Sequence, residues 1–162
     1  MCIRDRVVDY LPYVVVPGVL LWQFGFLGDG WGASAAAGWI LFSSLYIFAN
    51  LDLKTEDNYV VGFPAIWNVV ALYFYILGTP VWFNLLATLV LGAFSFTKVK
   101  SIHPLRVRDF RAVTLAACGA WIGAAAWLLW VAPAGEPWVL AVWMAASAWL
   151  FGLSVWRSFK RG

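Results

Sequence analysis

Six long apolar stretches, separated by short polar segments, dominate the sequence of this chain. A helix needs about 20 apolar residues to cross the ~30 Å hydrocarbon layer of a bilayer, and the six stretches meet or approach that length. The third stretch is short, so we expect it to recruit Val60 and Val61. The pattern predicts an all-α, polytopic transmembrane helix bundle with spans at Val7–Leu27, Trp31–Asn50, Phe63–Gly78, Val81–Thr97, Ala112–Ala132 and Trp138–Trp156.

The composition supports lipid as the solvent around these helices. The chain has 162 residues, of which 64% are hydrophobic and 12% are charged. Soluble domains are about half apolar and about a quarter charged. A chain of this length keeps a large surface for its volume, so a soluble core could not bury so much apolar surface.

The segments between the predicted spans alternate in charge. Gly28–Gly30, Gly78–Pro80 and Pro133–Pro137 are rich in turn residues and contain neither Lys nor Arg. Positively charged loops stay in the cytoplasm during insertion, so both termini are predicted to be cytoplasmic. This topology explains the net charge of +3, and no nucleic-acid partner is expected. All eleven Lys and Arg residues lie at the other ends of the spans, in the segments with Arg4 and Arg6, Lys54, Lys98–Arg111 and the tail from Arg157.

Two carboxylates lie at the start of the first span. Asp5 and Asp9 are four residues apart, so they fall on one face of a helix. Such a pair suits Mg²⁺ or Mn²⁺, which prefer oxygen ligands and often join carboxylates to substrate phosphates. Spacing alone does not separate this metal-binding interpretation from a simpler one, in which both residues only mark the solvated entrance of the helix. Tyr13 and Pro17 continue this face, and Pro12 and Pro17 should kink the helix or loosen its hydrogen bonding.

Two further polar stretches carry candidate binding residues. The stretch from Lys54 to Asn68 places charged residues, an aromatic residue and a Gly/Pro bend ahead of the third span. The stretch from Lys98 to Arg111 offers arginine forks and the single His of the chain to phosphate groups. The plain alternatives are a solvated loop for the first stretch and a positive-inside anchor for the second.

Together these stretches resemble the CDP-alcohol phosphotransferase family and, within it, the bacterial enzymes that make phosphatidylcholine. The family signature reads D-x-x-D-G-x-x-A-R, a spacer and G-x-x-x-D-x-x-x-D, and the end of it matches Asp5 and Asp9. The phosphatidylcholine branch resembles V-V-D-[YF]-x-x-Y-V-x-V-P, K-T-E-D, G-F-P-A-x-W-N and H-P-x-R-V. These patterns match at Val7–Pro17, Lys54–Asp57, Gly62–Asn68 and His103–Val107.

The beginning of the chain departs from the family pattern. The first half of the signature is missing, and Arg4 and Arg6 flank Asp5 where the family tends to be apolar. We therefore expect residues 1–6 to be a non-native leader, residues 7–157 to be the C-terminal part of a phosphotransferase membrane domain, and residues 158–162 to be a basic cytoplasmic tail. Asp5 would then match by accident. The chain alone is expected to be inactive, because a site lacking several ligands loses metal affinity.

The resemblance implies a metal-dependent membrane transferase that converts CDP-diacylglycerol and choline to phosphatidylcholine and CMP. Asp9 would be the general base, and Asp5 and Asp9 would bind Mn²⁺ or Mg²⁺. The bacterial inner membrane is the expected location, with membrane lipids and a second copy of the chain, in a homodimer, as partners. The expected substrate-binding residues are Tyr10, Tyr13, Lys54, Glu56, Asp57, Tyr59, Trp67, Asn68, His103, Arg106 and Arg108.

Choline carries a quaternary ammonium, which aromatic faces and carboxylates bind. Two alternatives to a choline enzyme stay open. One is a sister enzyme that uses serine, inositol or glycerol phosphate, and the other is a non-catalytic polytopic protein such as a transporter subunit or scaffold. An in-frame D-G-x-x-A-R upstream of Val7 would favour the phosphotransferase. The expected choline receptors are Tyr10, Tyr13, Tyr59 and Trp67 with Glu56 or Asp57, while Arg106 and Arg108 would hold the lipid phosphate.

Overall fold

The computed structural model describes residues 8–49, 60–61, 63–97, 100–101, 111–131 and 136–160, and six helices and two short strands lie in these ranges. Helix α1 covers residues 8–23 and contains a π-helical segment, Leu11–Val15, followed by α-helical Val16–Gln23. Strands β1 (Val60–Val61) and β2 (Lys100–Ser101) pair with each other. Helices α2 to α6 are Gly30–Ala49, Trp67–Leu77, Val81–Phe94, Arg111–Val131 and Pro137–Lys160.

The predicted helical architecture is confirmed for the described residues. Helix α2 and residues Ala112–Val131 of α5 are long and apolar enough to cross a membrane. Only 28% and 22% of their apolar windows are buried within the chain, whereas the core helix of a soluble protein would be mostly buried. Trp67–Leu77, Val81–Phe94 and Pro137–Leu153 are apolar but shorter. The count of six spans and the cytoplasmic placement of both termini stay predictions.

The third predicted span begins later in the structure than the sequence suggested. Val60 and Val61 form β1 instead of extending the helix, so the expectation that the span recruits them was wrong. Pro64 has no N–H and disfavours helical backbone at the residue before it. Ala65 adopts a φ of 53°, in the left-handed region. A regular helix cannot run through these residues, and α3 therefore has 11 residues, beginning at Trp67.

The prolines of α1 change its hydrogen bonding as predicted. Pro17 has no N–H with which to bond the carbonyl one turn earlier. The N–H of Val16 instead bonds the carbonyl oxygen of Leu11, five residues back. This is the hydrogen-bond pattern of a π-helix, which is often found at functional sites. The predicted loosening of the first span is confirmed.

The chain divides into two compact units, unit 1 (Met1–Lys100) and unit 2 (Ser101–Gly162). In unit 1, α1 packs on α2 and α3, and α2 packs on α4. Val14, Ile40 and Trp67 are among the residues of its buried core. In unit 2, α5 packs on α6, with Leu128 and Trp143 among the buried residues. The predicted membrane domain over residues 7–157 stays a prediction.

At one end of unit 1, buried Asn84 ties two predicted turns together. Its Nδ2 donates to the carbonyl oxygens of Phe26 at 3.0 Å and Thr79 at 3.3 Å, and the Thr79 hydroxyl donates to Asn84 Oδ1. Gly28 and Gly78 adopt φ values of 79° and 56° in these turns, a conformation that residues without a Cβ reach easily. The turns predicted at both positions are confirmed.

Candidate active site

Asp9 lies in the first described turn of α1, immediately before the π-helical segment Leu11–Val15. Its side chain is half-buried. An ionisable side chain in an apolar membrane helix is energetically costly, so Asp9 is a candidate functional residue. A half-buried carboxylate remains accessible to solvent and substrate, so Asp9 can accept a proton or bind a cation.

Tyr10, the neighbour of Asp9, is fixed against helix α2. Its hydroxyl donates a hydrogen bond to the carbonyl oxygen of Leu41 at 2.8 Å. The edge of its ring meets Phe48, with ring centroids 5.4 Å apart and an interplanar angle of 79°. These contacts fix the orientation of Tyr10 while leaving its side chain half-buried.

Trp67, the first residue of α3, is also bound to α2. Its indole N–H donates to the hydroxyl oxygen of Ser44 at 2.8 Å, and the indole is fully buried. Phe63 packs edge-on against it, with ring centroids 5.3 Å apart. The left-handed backbone of Ala65 turns the chain just before this residue. The indole is therefore enclosed within the described part of unit 1.

Helix α2 is the element that joins the two predicted aromatic site residues. Leu41 and Ser44 are three residues apart and so share a face of the helix. Sequence reasoning did not identify Ser44 as part of this site. A signal was present, because a hydroxyl inside an apolar span usually hydrogen-bonds across helices.

Tyr13 and Asn68 lie at the surface of unit 1, on the same helices as Tyr10 and Trp67. Tyr13 is in the π-helical segment and exposes 40% of its surface. Asn68, the second residue of α3, is exposed. Both side chains are therefore open to a ligand or to lipid, whereas Tyr10 and Trp67 are held against α2 by hydrogen bonds.

The roles of the remaining predicted site residues stay predictions because these residues lie outside the described ranges. Asp9 is the described member of the predicted metal pair, and its oxygen atoms suit Mg²⁺ or Mn²⁺. Within the described ranges, no group of three His, Cys, Asp or Glu side chains could hold a metal. The residues outside those ranges are Asp5, Lys54, Glu56, Asp57, Tyr59, His103, Arg106 and Arg108.

Comparison with known proteins gives matches among curated relatives. No family model matches the chain, and no solved structure matches it. The chain is 43% identical over 158 residues, or 98% of its length, to a phosphatidylcholine synthase of Pseudomonas aeruginosa. Phosphatidylcholine synthases of Mesorhizobium japonicum and Rhizobium johnstonii are 33% and 27% identical over 68% and 91% of the chain.

The chain spans only part of the length of these relatives: 66% of the Pseudomonas protein, 41% of the Mesorhizobium protein and 60% of the Rhizobium protein. The first alignment nevertheless covers nearly the whole of this chain. The long apolar helices and these relatives together identify a membrane protein. The chain belongs to the phosphatidylcholine synthase family.

Proposed function

We propose that the protein makes phosphatidylcholine by transferring the phosphatidyl group of CDP-diacylglycerol to choline, with release of CMP. The observation that carries this proposal is the 43% identity, over 98% of the chain, to a phosphatidylcholine synthase. The apolar helices α2 and α5 support it, because one substrate and the main product would be membrane lipids.

The proposed reaction is a displacement at phosphorus. The choline oxygen forms a bond to the phosphorus of the phosphatidyl group, the bond from that phosphorus to the bridging pyrophosphate oxygen breaks, and CMP leaves with that oxygen. Asp9 accepts the proton of the choline hydroxyl. A carboxylate is a weak base for an alcohol, so correct positioning of the hydroxyl must supply much of the acceleration.

Asp9 is proposed to bind Mn²⁺ or Mg²⁺. Asp5 would be a second ligand if residues 1–6 are native; if they are a leader, the further ligands would come from the motif expected upstream of Val7. Such an ion would neutralise charge on the pyrophosphate of the substrate. We expect chelation to abolish choline-dependent CMP release and added Mn²⁺ or Mg²⁺ to restore it. Activity that survives exhaustive chelation would remove the metal from the proposal.

Choline recognition is proposed to depend on aromatic side chains near Asp9. A quaternary ammonium cannot donate a hydrogen bond, so it binds ring faces and carboxylates. Tyr13 offers an exposed ring, and Tyr10 is held nearby in the same helix. Trp67 is enclosed, so its contribution would be to position other groups of the site. Tyr59 with Glu56 or Asp57 would complete the receptor, and Lys54, Asn68, His103, Arg106 and Arg108 would bind the remainder of the substrates.

The topology that suits this reaction has six spans in the bacterial inner membrane and both termini in the cytoplasm. This arrangement would place Asp9 and the basic stretch from Lys98 to Arg111 on the side where CDP-linked substrates are made. The topology can be tested with a reporter that fluoresces only in the cytoplasm, fused after Arg161 in one protein and after Asp29 in another. We expect fluorescence from the first fusion and none from the second.

A homodimer is a separate proposal, which light scattering of the purified protein in detergent tests.

The activity is tested by expressing the gene with the coding sequence upstream of Val7 included. CMP release and lipid product are measured with CDP-diacylglycerol and choline, and then with serine, inositol or glycerol phosphate in place of choline. We expect turnover with choline. Turnover with another alcohol alone would replace the substrate in the proposal, and no turnover with any alcohol would favour a non-catalytic membrane protein.

A further inference from the structure

The end of unit 2 at which α5 leads into α6 carries two exposed indoles and one carboxylate. Trp130, next to the last residue of α5, exposes 87% of its surface, and Trp138, the second residue of α6, exposes 64%. Glu136 immediately precedes α6 and is also exposed. The group of Trp130, Glu136 and Trp138 is here called the turn-end surface.

The packing of α5 on α6 puts the two indoles of the turn-end surface at the same level. Five residues connect these packed helices, so the helices form an antiparallel pair. Across this pair, Trp121 donates a hydrogen bond to Ser147 at 3.1 Å. Trp130 lies nine residues after Trp121, and Trp138 lies nine residues before Ser147. Because the rise per residue is the same in both helices, Trp130 and Trp138 lie equally far from that hydrogen bond.

The turn-end surface is acidic, and the basic residues of α5 and α6 lie at the opposite end of these helices. Arg111 begins α5, and Arg157 lies near the end of α6. Each is 19 residues from the Trp of the turn-end surface in its own helix. This separation is about 29 Å at a rise of 1.5 Å per residue. Within the described part of unit 2, no Lys or Arg is therefore close to the Glu136 carboxylate.

Glu136 and Trp138 are in direct contact. The indole N–H of Trp138 donates a hydrogen bond to Oε2 of Glu136, which holds a negative charge beside the ring. A carboxylate has about four lone-pair sites, so accepting one N–H leaves it able to attract a cation. The face of an indole also attracts cations, and Trp is the best of the aromatic residues for this contact. The pair therefore offers a cation two attractive groups side by side.

We propose that the turn-end surface binds the trimethylammonium group of phosphatidylcholine in the surrounding lipid leaflet. Trp favours the level of the lipid headgroups, where this group lies. A quaternary ammonium cannot donate a hydrogen bond, so ring faces and a carboxylate are the groups that recognise it. Anionic headgroups are disfavoured because Glu136 repels them. The inference concerns the lipid around the protein, and it would stand if the proposed reaction used another alcohol.

Competition between lipids measures this recognition in the full 162-residue chain. The chain is purified in detergent micelles containing a phosphatidylcholine whose ammonium group carries a nitroxide, which quenches Trp fluorescence at short range. The quenching lost in Trp130→Phe/Trp138→Phe is the share due to the turn-end surface. We expect unlabelled phosphatidylcholine to relieve this share at a mole fraction about two- to fivefold lower than phosphatidylglycerol, as for an exposed cation–π contact. Equal competition by the two lipids would overturn the proposal.

Glu136→Gln separates headgroup recognition from simple anchoring by the indoles. The main-chain carbonyl of Glu136 accepts hydrogen bonds from the N–H groups of Val139 and Leu140, and the substitution leaves these in place. We expect the variant to keep its helix content by circular dichroism and to lose the preference for phosphatidylcholine. The matched control is Trp127→Phe, which changes another exposed indole of α5 and should keep the preference. An unchanged preference in Glu136→Gln, or its loss in Trp127→Phe, contradicts the proposal.

Free choline carries the same trimethylammonium group, so a separate titration distinguishes it from the lipid. Choline chloride is added to the micelles and compared with sodium chloride at the same concentrations. We expect the two salts to relieve the quenching equally, because free choline has no acyl chains to hold it beside the helices. Displacement by choline without displacement by phosphatidylcholine would assign the surface to a soluble quaternary ammonium and overturn the lipid proposal.

Discussion

Units 1 and 2 are both built from apolar helices joined by cross-helix hydrogen bonds, but the backbone of unit 1 is the less regular. In unit 1, polar side chains reach across helices: Trp67 donates to Ser44, and Asn84 donates to the carbonyl oxygen of Phe26. In unit 2, α5 and α6 meet along small and aromatic residues. Trp121 and Trp143 pack with ring centroids 5.9 Å apart, and Trp121 also donates to Ser147 at 3.1 Å.

The difference lies in the regularity of the backbone in each unit. Unit 1 contains a π-helical segment in α1, a left-handed residue before α3 and two short helices. The described helices of unit 2 are continuous over 21 and 24 residues. Irregular backbone leaves polar groups that must be satisfied inside the membrane, and cross-helix hydrogen bonds hold such segments in place. Every candidate site residue that the structure describes lies in unit 1.

The largest expected effect is on catalysis, from Asp9→Asn in α1. In the protein expressed with the coding sequence upstream of Val7, loss of a general base should reduce choline-dependent CMP release by about 10²- to 10⁴-fold. Asp9 is half-buried, so the variant should fold and insert as the parent does. Asp29→Asn changes an exposed carboxylate in the turn before α2 and should leave the rate unchanged. Equal rates for the parent and the Asp9 variant would remove Asp9 from the mechanism.

Glycine substitutions should distinguish the close packing of unit 1 from the open surface of α5. A Cβ at Gly92 would lie 2.1 Å from Nε1 of Trp39, so Gly92→Ala should lower the free energy of unfolding by about 1–3 kcal/mol. A Cβ at Gly119 meets nothing within 4 Å, so Gly119→Ala should be neutral or stabilise α5 by up to about 1 kcal/mol. Equilibrium unfolding in detergent micelles measures both values. Equal effects would mean that α2 and α4 do not pack this closely.

Polar substitutions compare the hydrogen bonds of the two units. Asn84→Leu leaves the carbonyl oxygen of Phe26 without the Asn84 donor, while the Thr79 hydroxyl keeps the carbonyl oxygen of Phe74 as an acceptor. The variant should destabilise the protein by about 1–2 kcal/mol. Ser147→Ala in unit 2 removes one interhelical acceptor and should cost about 0.6 kcal/mol. The same unfolding assay ranks the two variants. The reverse order would show that unit 2 depends more strongly on its polar contact.

The coupling between Trp67 and Ser44 is expected to be as small as the effect of Ser147→Ala. A double-mutant cycle with Trp67→Phe and Ser44→Ala should give a coupling free energy of about 0.6 kcal/mol in unfolding assays. The indole is enclosed, so Trp67 would act on choline by positioning other groups of the site. Both single variants should therefore raise the KM for choline by similar factors. The KM for CDP-diacylglycerol should stay unchanged. A loss of stability with no change in the choline KM would assign Trp67 to packing alone.

Sequence patterns were sufficient for the regular helices of both units. The span predicted at Trp31–Asn50 became α2 at Gly30–Ala49, and the span predicted at Ala112–Ala132 became α5 at Arg111–Val131. Continuous apolar composition bounded by turns or charges determines such helices. The loosened start of α1 could also be predicted, because proline removes a donor wherever it occurs.

The late start of α3 and the pairing of Trp67 with Ser44 could not be predicted in the same way. The left-handed conformation of Ala65 is unusual for a residue with a Cβ, and the surrounding packing maintains it. The hydrogen bond from Trp67 depends on how α2 and α3 pack, which the periodicity of apolar helices does not specify. The predicted metal pair and basic stretch remain predictions.

The hydrogen bonds of Asn84 also act as one of two clamps on α1. They join the turn after α1 to the turn before α4, so these segments have little freedom to separate. The other end of α1, where Asp9 lies, is held by the hydrogen bond from Tyr10 to the carbonyl oxygen of Leu41. The π-helical segment lies between the two attachments. A helix attached at both ends does not swing like a lever, so we expect Asp9 to keep its position against α2 when substrates bind.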